Sequence, residues 1–221
     1  MSVLHEYYSR RAAEYEEIYH KPERQQDLAT LKELLRRLLH GHDILEIACG
    51  TGYWTEAVAP VARSMLATDV SEEVLALAQH KSYPPDRVRF EIMDAYRPGQ
   101  AAGEFTAALA TFWWSHVPHQ KIQGFLRALH GRLSEGATVV VVDNRYVDGH
   151  STPISERDER GNTYQTRPLK DGSSFRVLKN FHSPAELAAT LRTGSHGLSI
   201  CELEYYWCAS YQVVNKPGSP E

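Results

Sequence analysis

The segment Ile44-Leu-Glu-Ile-Ala-Cys-Gly-Thr-Gly-Tyr-Trp54 constrains the chain most. A short apolar run, Asp43 to Ala48, enters Gly50-x-Gly52 and then a helical pattern from Tyr53 to Ala62. Glycine lets the backbone take positive φ and approach a ligand closely. A helix beginning there presents unpaired N–H groups. Strand, glycine turn and helix in that order place a nucleotide-like ligand at the carboxyl end of the first strand of an α/β sheet. Two details narrow the ligand. The dinucleotide fingerprint needs Gly or Ala at its third position, and here that position is the β-branched Thr55. Glu46, four residues before Gly50, would repel a pyrophosphate but suits a ligand carrying an ammonium or sulfonium charge. Both details disfavour a nicotinamide-dependent oxidoreductase.

The rest of the chain repeats the alternation of strand and helix. Strands are expected at Ser64 to Asp69, Val88 to Met93, Phe105 to Thr111 and Ala137 to Val142. The last of these is nearly all β-branched, as a strand buried on both faces should be. Helices are expected at the segment after Ser71, which has N-cap chemistry, at Lys121 to Leu133 and at Pro184 to Leu191. Phe175 to Phe181 reads as a strand, and Ser199 to Val214 as one long final strand with an antiparallel partner. This order predicts a Rossmann-like, doubly wound α/β sheet of seven strands, mostly parallel with an antiparallel last strand. Residues 1–40 read as an N-terminal helical cap: Leu28, Leu31, Leu34, Leu35, Leu38 and Leu39 form one stripe, and Pro22 separates it from an earlier helix. The main domain is expected over 41–216, with a polar, aperiodic lid, insertion or disordered segment at 146–172 and a mobile tail at 217–221.

The strand ends carry acidic residues in register with this frame. Asp69 ends the second strand 17 residues after Gly52, where a carboxylate can accept both ribose hydroxyls. Asp94 follows the third, where it can accept an exocyclic adenine amine. With these residues the chain resembles the class I S-adenosylmethionine (SAM)-dependent methyltransferases, in the menaquinone/ubiquinone-methyltransferase-like branch. The resemblance covers residues 40–145 well and the remainder loosely. It implies that Glu46, Ala48, Gly50 and Gly52 hold the amino-acid end of SAM. It further implies that Asp69 binds ribose with Val70 beside adenine, that Asp94 and Ala95 meet the adenine edge, and that Thr111 offers its carbonyl to the cofactor's amino group. It also implies a tyrosine of the cap near the transferable methyl, Tyr15 or Tyr19. Two positions depart from the family pattern: Ala48 replaces a glycine, and the fourth strand opens Phe105-Thr106 where Phe-Asp is usual.

The implied activity is methyl transfer to an O, N or S nucleophile of a small molecule. Carbon methylation of an activated ring and a non-catalytic binding module are the alternatives. Trp113 and Trp114 can wall a sulfonium by cation–π attraction or simply pack the core. His116 is a candidate general base, or a histidine that hydrogen-bonds backbone. Arg145, directly after a strand end, can pair with an acceptor carboxylate. His116 and His119 lack a third ligand motif, so no metal site is expected. A net charge of −4 disfavours nucleic acid as partner. No run reaches the roughly 18 apolar residues of a membrane span. Three cysteines, an odd number without paired spacing, fit a reducing cytoplasm, and the chain is expected to be a monomer or homodimer.

Overall fold

In the computed structural model, residues 3–99 and 105–214 are described, and the side chains of residues 3–5 and 12–15 are not. The expected tail at 217–221 lies outside the described residues. The first strand, β1 (Asp43–Ile47), pairs in parallel with β2 (Ser64–Asp69) on one side and β4 (Phe105–Thr111) on the other. β3 (Val88–Ile92) extends the first side. β5 (Leu133–Asn144), then β10 (Tyr206–Val213) and β9 (Ser195–Glu202) extend the second. The order is β3-β2-β1-β4-β5-β10-β9, with β10 antiparallel to both neighbours. The expected seven-stranded sheet is therefore present, and the strand order reverses between β1 and β4. Ligands gather at the strand ends beside such a reversal.

Side-chain alternation divides the core into two layers. Ile44, Val140 and Val142 face one side, where Leu28, Leu31 and Leu35 of α2 (Gln25–Leu38) cover them together with α3 (Tyr53–Val58). Leu45, Val139 and Val141 face the other, under α5 (Ile122–His130) and α6 (Pro184–Leu191). This is the period-two geometry of a strand buried on both faces. α4 (Glu72–Gln79) begins at Ser71, whose hydroxyl accepts the Val74 N–H, as its N-cap chemistry predicts. Among the described residues no helix is long and apolar enough to cross a membrane.

Two expectations are corrected. The final stretch is not one strand: β9 and β10 form an antiparallel pair around Leu203 to Tyr205. That turn carries no glycine or Asn-Gly signal for sequence reading to find. The segment 146–172 is not without regular structure either. β6 (Glu156–Arg157), β7 (Thr163–Pro168) and β8 (Ser174–Leu178) make a second, antiparallel sheet. Its buried positions include Thr163, Gln165 and, just past β8, Lys179 and Asn180. Burial alternates, but on polar residues, so the hydrophobic pattern that marks a strand is missing. The small sheet supports the cap: Tyr7 of α1 (Val3–Arg11) packs on Phe175 and Val177 of β8.

Leu31 is fully buried between α2 and the sheet. Leu31→Ala is expected to destabilise the protein by about 2–5 kcal/mol, measured by denaturant unfolding with an unchanged m-value.

Candidate functional site

At the carboxyl ends of β1, β2 and β4 the chain builds its loop around one carboxylate. Asp69 Oδ2 accepts the Gly50 N–H at 3.0 Å, and Oδ1 accepts the Ser71 N–H at 3.0 Å. Ala48, Gly50 and Gly52 take positive φ of 52°, 56° and 79°. An ionised carboxylate has about four acceptor positions. Two of its contacts hold the loop. The cap is tied to the same loop. Thr51 donates its hydroxyl to Glu16 at 2.7 Å, and Lys81 pairs with Glu16 at 2.9 Å.

A cavity of 540 Å³ lies over this loop. Its lining brings together Ala48, Gly50, Asp69, Val70, Asp94, Ala95, Thr111, Trp113 and His116 from the sequence-predicted set. Asp94 Oδ1 accepts the Tyr96 N–H at 2.9 Å, which shapes the turn after β3. Trp113 stands edge-on to Tyr96 with ring centres 5.6 Å apart. Tyr8, Ser71, Met93, Tyr96, Phe112 and Lys121 also line it. Lys121 lies over the Tyr96 ring at 5.1 Å. Met93, Tyr96 and Lys121 are not among the residues the sequence singles out; for Tyr96 and Lys121, adjacency to Asp94 and to the start of α5 is the available signal.

The remaining candidates sit elsewhere. Glu46 is fully buried and does not reach the cavity wall. Its Oε2 accepts the Thr55 hydroxyl at 2.6 Å, while Oε1 has no partner. Burial, with the nearby Asp69 charge adding to it, pushes the Glu46 carboxyl up to about 8 against the Thr55 hydrogen bond. A cation beside the orphaned oxygen would restore its charge, which is the role the family resemblance implies. Thr55, read as a break in a glycine fingerprint, is thus the partner of this carboxylate. Gly52 serves packing: a Cβ there would lie 2.6 Å from the Tyr83 hydroxyl oxygen and 3.0 Å from Ala78 Cβ.

Trp114 turns into the core against Trp207 and His182, because the chain reverses at Phe112, which has φ of 59°. Arg145 locks the β9–β10 turn: its N–H reaches Tyr205 O at 2.8 Å and its guanidinium bonds Leu203 O and pairs with Glu202. Tyr19 stacks on Tyr53 at 3.8 Å and accepts the Trp54 indole N–H. The Tyr15 side chain is outside the described residues. The cap tyrosine that meets the cavity is Tyr8, about two to three helical turns earlier.

His116 is buried at the far wall. Its Nδ1 lies 2.6 Å from Leu178 O and its Nε2 2.8 Å from the Tyr8 hydroxyl. A carbonyl only accepts, so Nδ1 carries the proton, and Nε2 accepts from Tyr8. Burial, and next the Lys179 charge, hold its pKa well below the usual histidine range despite Asp143. Both ring nitrogens are therefore engaged in a neutral ring.

Beyond Tyr8, Phe112 and His116 lies a second cavity of 480 Å³, which those three residues also line. It is walled by the cap, by Asn144 at the end of β5 and by the small sheet. Behind it, Asp143 is fully buried at the end of β5. It accepts the Ser115 N–H and hydroxyl at 2.8 and 2.9 Å, the Asn144 N–H at 2.7 Å and the Lys179 ammonium at 3.1 Å. Burial opposes its ionisation, but Lys179, then His116 and these N–H groups outweigh that and hold the carboxyl below its usual range.

A carboxylate-organised glycine loop at the reversal of a doubly wound sheet, with aromatic rings facing it, defines a nucleoside-cofactor transferase site. The comparisons narrow the class. Residues 44–136 match the family model described as "Methyltransferase domain". The structure of DhpI with S-adenosylhomocysteine (SAH) superposes with a TM-score of 0.80 at 28% identity, covering 97% of both chains. DhpI with SAM and HEP superposes with a TM-score of 0.77 at 30% identity, covering 93% of this chain and 94% of that one. The ubiquinone biosynthesis O-methyltransferase of Xanthomonas campestris pv. campestris (strain B100) is 27% identical over 161 residues, 72% of this chain. The chain spans 64% of that relative's length, less than two thirds. The chain belongs to the class I SAM-dependent methyltransferases.

Asp69→Ala is expected to weaken SAH binding by about 1.5–3 kcal/mol, the worth of hydrogen bonds to a charged group. Calorimetric titration measures it; an unchanged dissociation constant in a folded variant would remove Asp69 from the ribose role.

Proposed function

We propose that the enzyme transfers the methyl group of SAM to an oxygen nucleophile of a small molecule held in the second cavity. The observation that carries this reading is that the two cavities share the walls Tyr8, Phe112 and His116. The cofactor's sulfonium supplies an already electrophilic methyl. What the chain adds is alignment, which in favourable cases contributes about 7–11 kcal/mol. Gly50 and Asp69 would fix the cofactor from the β1 and β2 ends. Thr111, Phe112 and Trp113 would bound the passage with a carbonyl and two aromatic faces, suited to a sulfonium that loses its charge as the methyl leaves.

The tyrosine at the passage is Tyr8. His116 fixes it, since its Nε2 accepts the Tyr8 proton. A proton passed to His116 from an acceptor would travel through Tyr8, so His116 acts as a positioning residue in this reading. Oxygen as the accepting atom is favoured by the O-methyltransferase similarity. Carbon methylation of a ring has no specific observation in its favour.

The test uses SAM labelled with carbon-13 in the methyl group, a panel of small acceptors and nuclear magnetic resonance of the product. The expected signal is that of a methyl carbon bonded to oxygen. A carbon-bound methyl on the preferred acceptor would contradict the proposal.

A further inference from the structure

The second cavity has a charge unlike the rest of the molecule. The chain carries a net −4. Yet Arg11, Lys21, Arg24, Arg167, Lys170 and Lys179 all line this one cavity, and among the described residues no carboxylate does. Lys179 pairs with Asp143 and Lys170 with Glu17, and both carboxylates lie outside the lining.

Lys179 is the innermost of the six. Its side chain is 5% exposed and that of Asp143 1%. An ammonium has three protons. One goes to Ser115 Oγ at 2.6 Å and one to Asp143 Oδ1 at 3.1 Å, which leaves one for the cavity that the residue lines. Arg167 reaches the cavity from β7, its guanidinium bonded to Gln165 Oε1 at 2.6 and 3.1 Å. Burying an ammonium costs several kcal/mol unless it is paired and hydrogen-bonded. The fold meets that cost with Asp143 and Ser115 and still directs the charge at a cavity.

We propose that the acceptor is a small organic oxyanion, and that its anionic oxygen, held by Lys179 and Arg167, is the atom methylated. This rests on the methyl-transfer reading above. A lone pair of the anionic oxygen forms the new C–O bond as the C–S bond breaks, and the breaking pair stays on sulfur. The acceptor loses one negative charge and the sulfonium its positive charge. No proton moves, so no base is required, in agreement with a His116 ring whose two nitrogens are already engaged. Burial, opposed by Asp143 and reinforced by Arg167 and Arg24, brings the Lys179 pKa down to about 8. The charged groups that face it are Asp143 from β5, Arg167 from β7 and Arg24 from the cap, and the titratable but neutral His116 after β4 faces it too. Anion binding should therefore weaken as pH rises through about 8, because the free ammonium then loses its proton.

The SAH-loaded full chain is titrated calorimetrically with benzoate, phenylphosphonate and neutral benzyl alcohol. At least one of the two anions is expected to bind ten times or more tighter than the alcohol. Lys179→Met and Arg167→Gln are each expected to weaken anion binding tenfold or more with SAH affinity unchanged. Arg167→Gln, on the cavity rim, covers the case in which Lys179→Met fails to fold. Benzoate keeps one charge from pH 7 to 9, so loss of its binding over that range, with SAH binding constant, reports Lys179. Stronger phenylphosphonate than benzoate binding assigns a phosphoryl-type anion, and the reverse a carboxylate. Anions binding no tighter than benzyl alcohol, or equally to wild type and both variants, would overturn the proposal. Labelled SAM separates the two readings: a methyl ether from a neutral hydroxyl keeps O-methylation and defeats the oxyanion, whereas a carbon-bound methyl defeats both.

Discussion

A carboxylate buried at the end of a central strand cannot stand alone, and much of this structure follows from how Asp143 is satisfied. Transfer of such a group out of water costs several kcal/mol even after relaxation. Asp143 therefore collects Ser115, the Asn144 backbone and Lys179 around itself. Ser115 belongs to the turn that carries His116, and Lys179 directly follows β8. One buried acid thus joins the main sheet, the turn after β4 and the small sheet. Leu178, next to Lys179, then fixes the His116 tautomer, and His116 fixes Tyr8. The cap reaches the passage between the cavities through that chain of contacts and through Tyr7 against Phe175 and Val177.

The two halves of the site differed in how far they could be read from sequence. The residues expected to hold the cofactor sit at strand ends a fixed distance from a glycine turn, so local spacing singles out Asp69, Asp94 and Gly50, and the fold brings all three to one cavity. The acceptor half is assembled from residues far apart. Lys179 meets Asp143 across 36 residues and Ser115 across 64, and Tyr8 meets His116 across 108. No periodicity marks such pairs. The small sheet was hidden for a related reason, since Thr163, Gln165 and Lys179 fill inner positions that pattern reading reserves for apolar side chains. Arg145 drew notice by lying after a strand end, but the turn at Leu203 to Tyr205 uses it. The resemblance points to a cap tyrosine, and which ring reaches the cavity depends on where α1 meets the small sheet.

A division of labour follows. The main sheet supplies a nearly neutral, aromatic-walled cavity organised by Asp69, suited to a cationic nucleoside. The small sheet and the cap supply a cationic cavity. Methyl transfer between them requires that the cofactor's sulfur face their shared wall, and everything inferred about the acceptor depends on that orientation.

The most direct measurement is a crystal structure with SAH. The account predicts the ribose hydroxyls on Asp69 and the thioether sulfur at the opening bounded by Tyr8, Phe112 and His116, facing the cationic cavity. A sulfur turned away from that opening, or a ribose remote from Asp69, would contradict it.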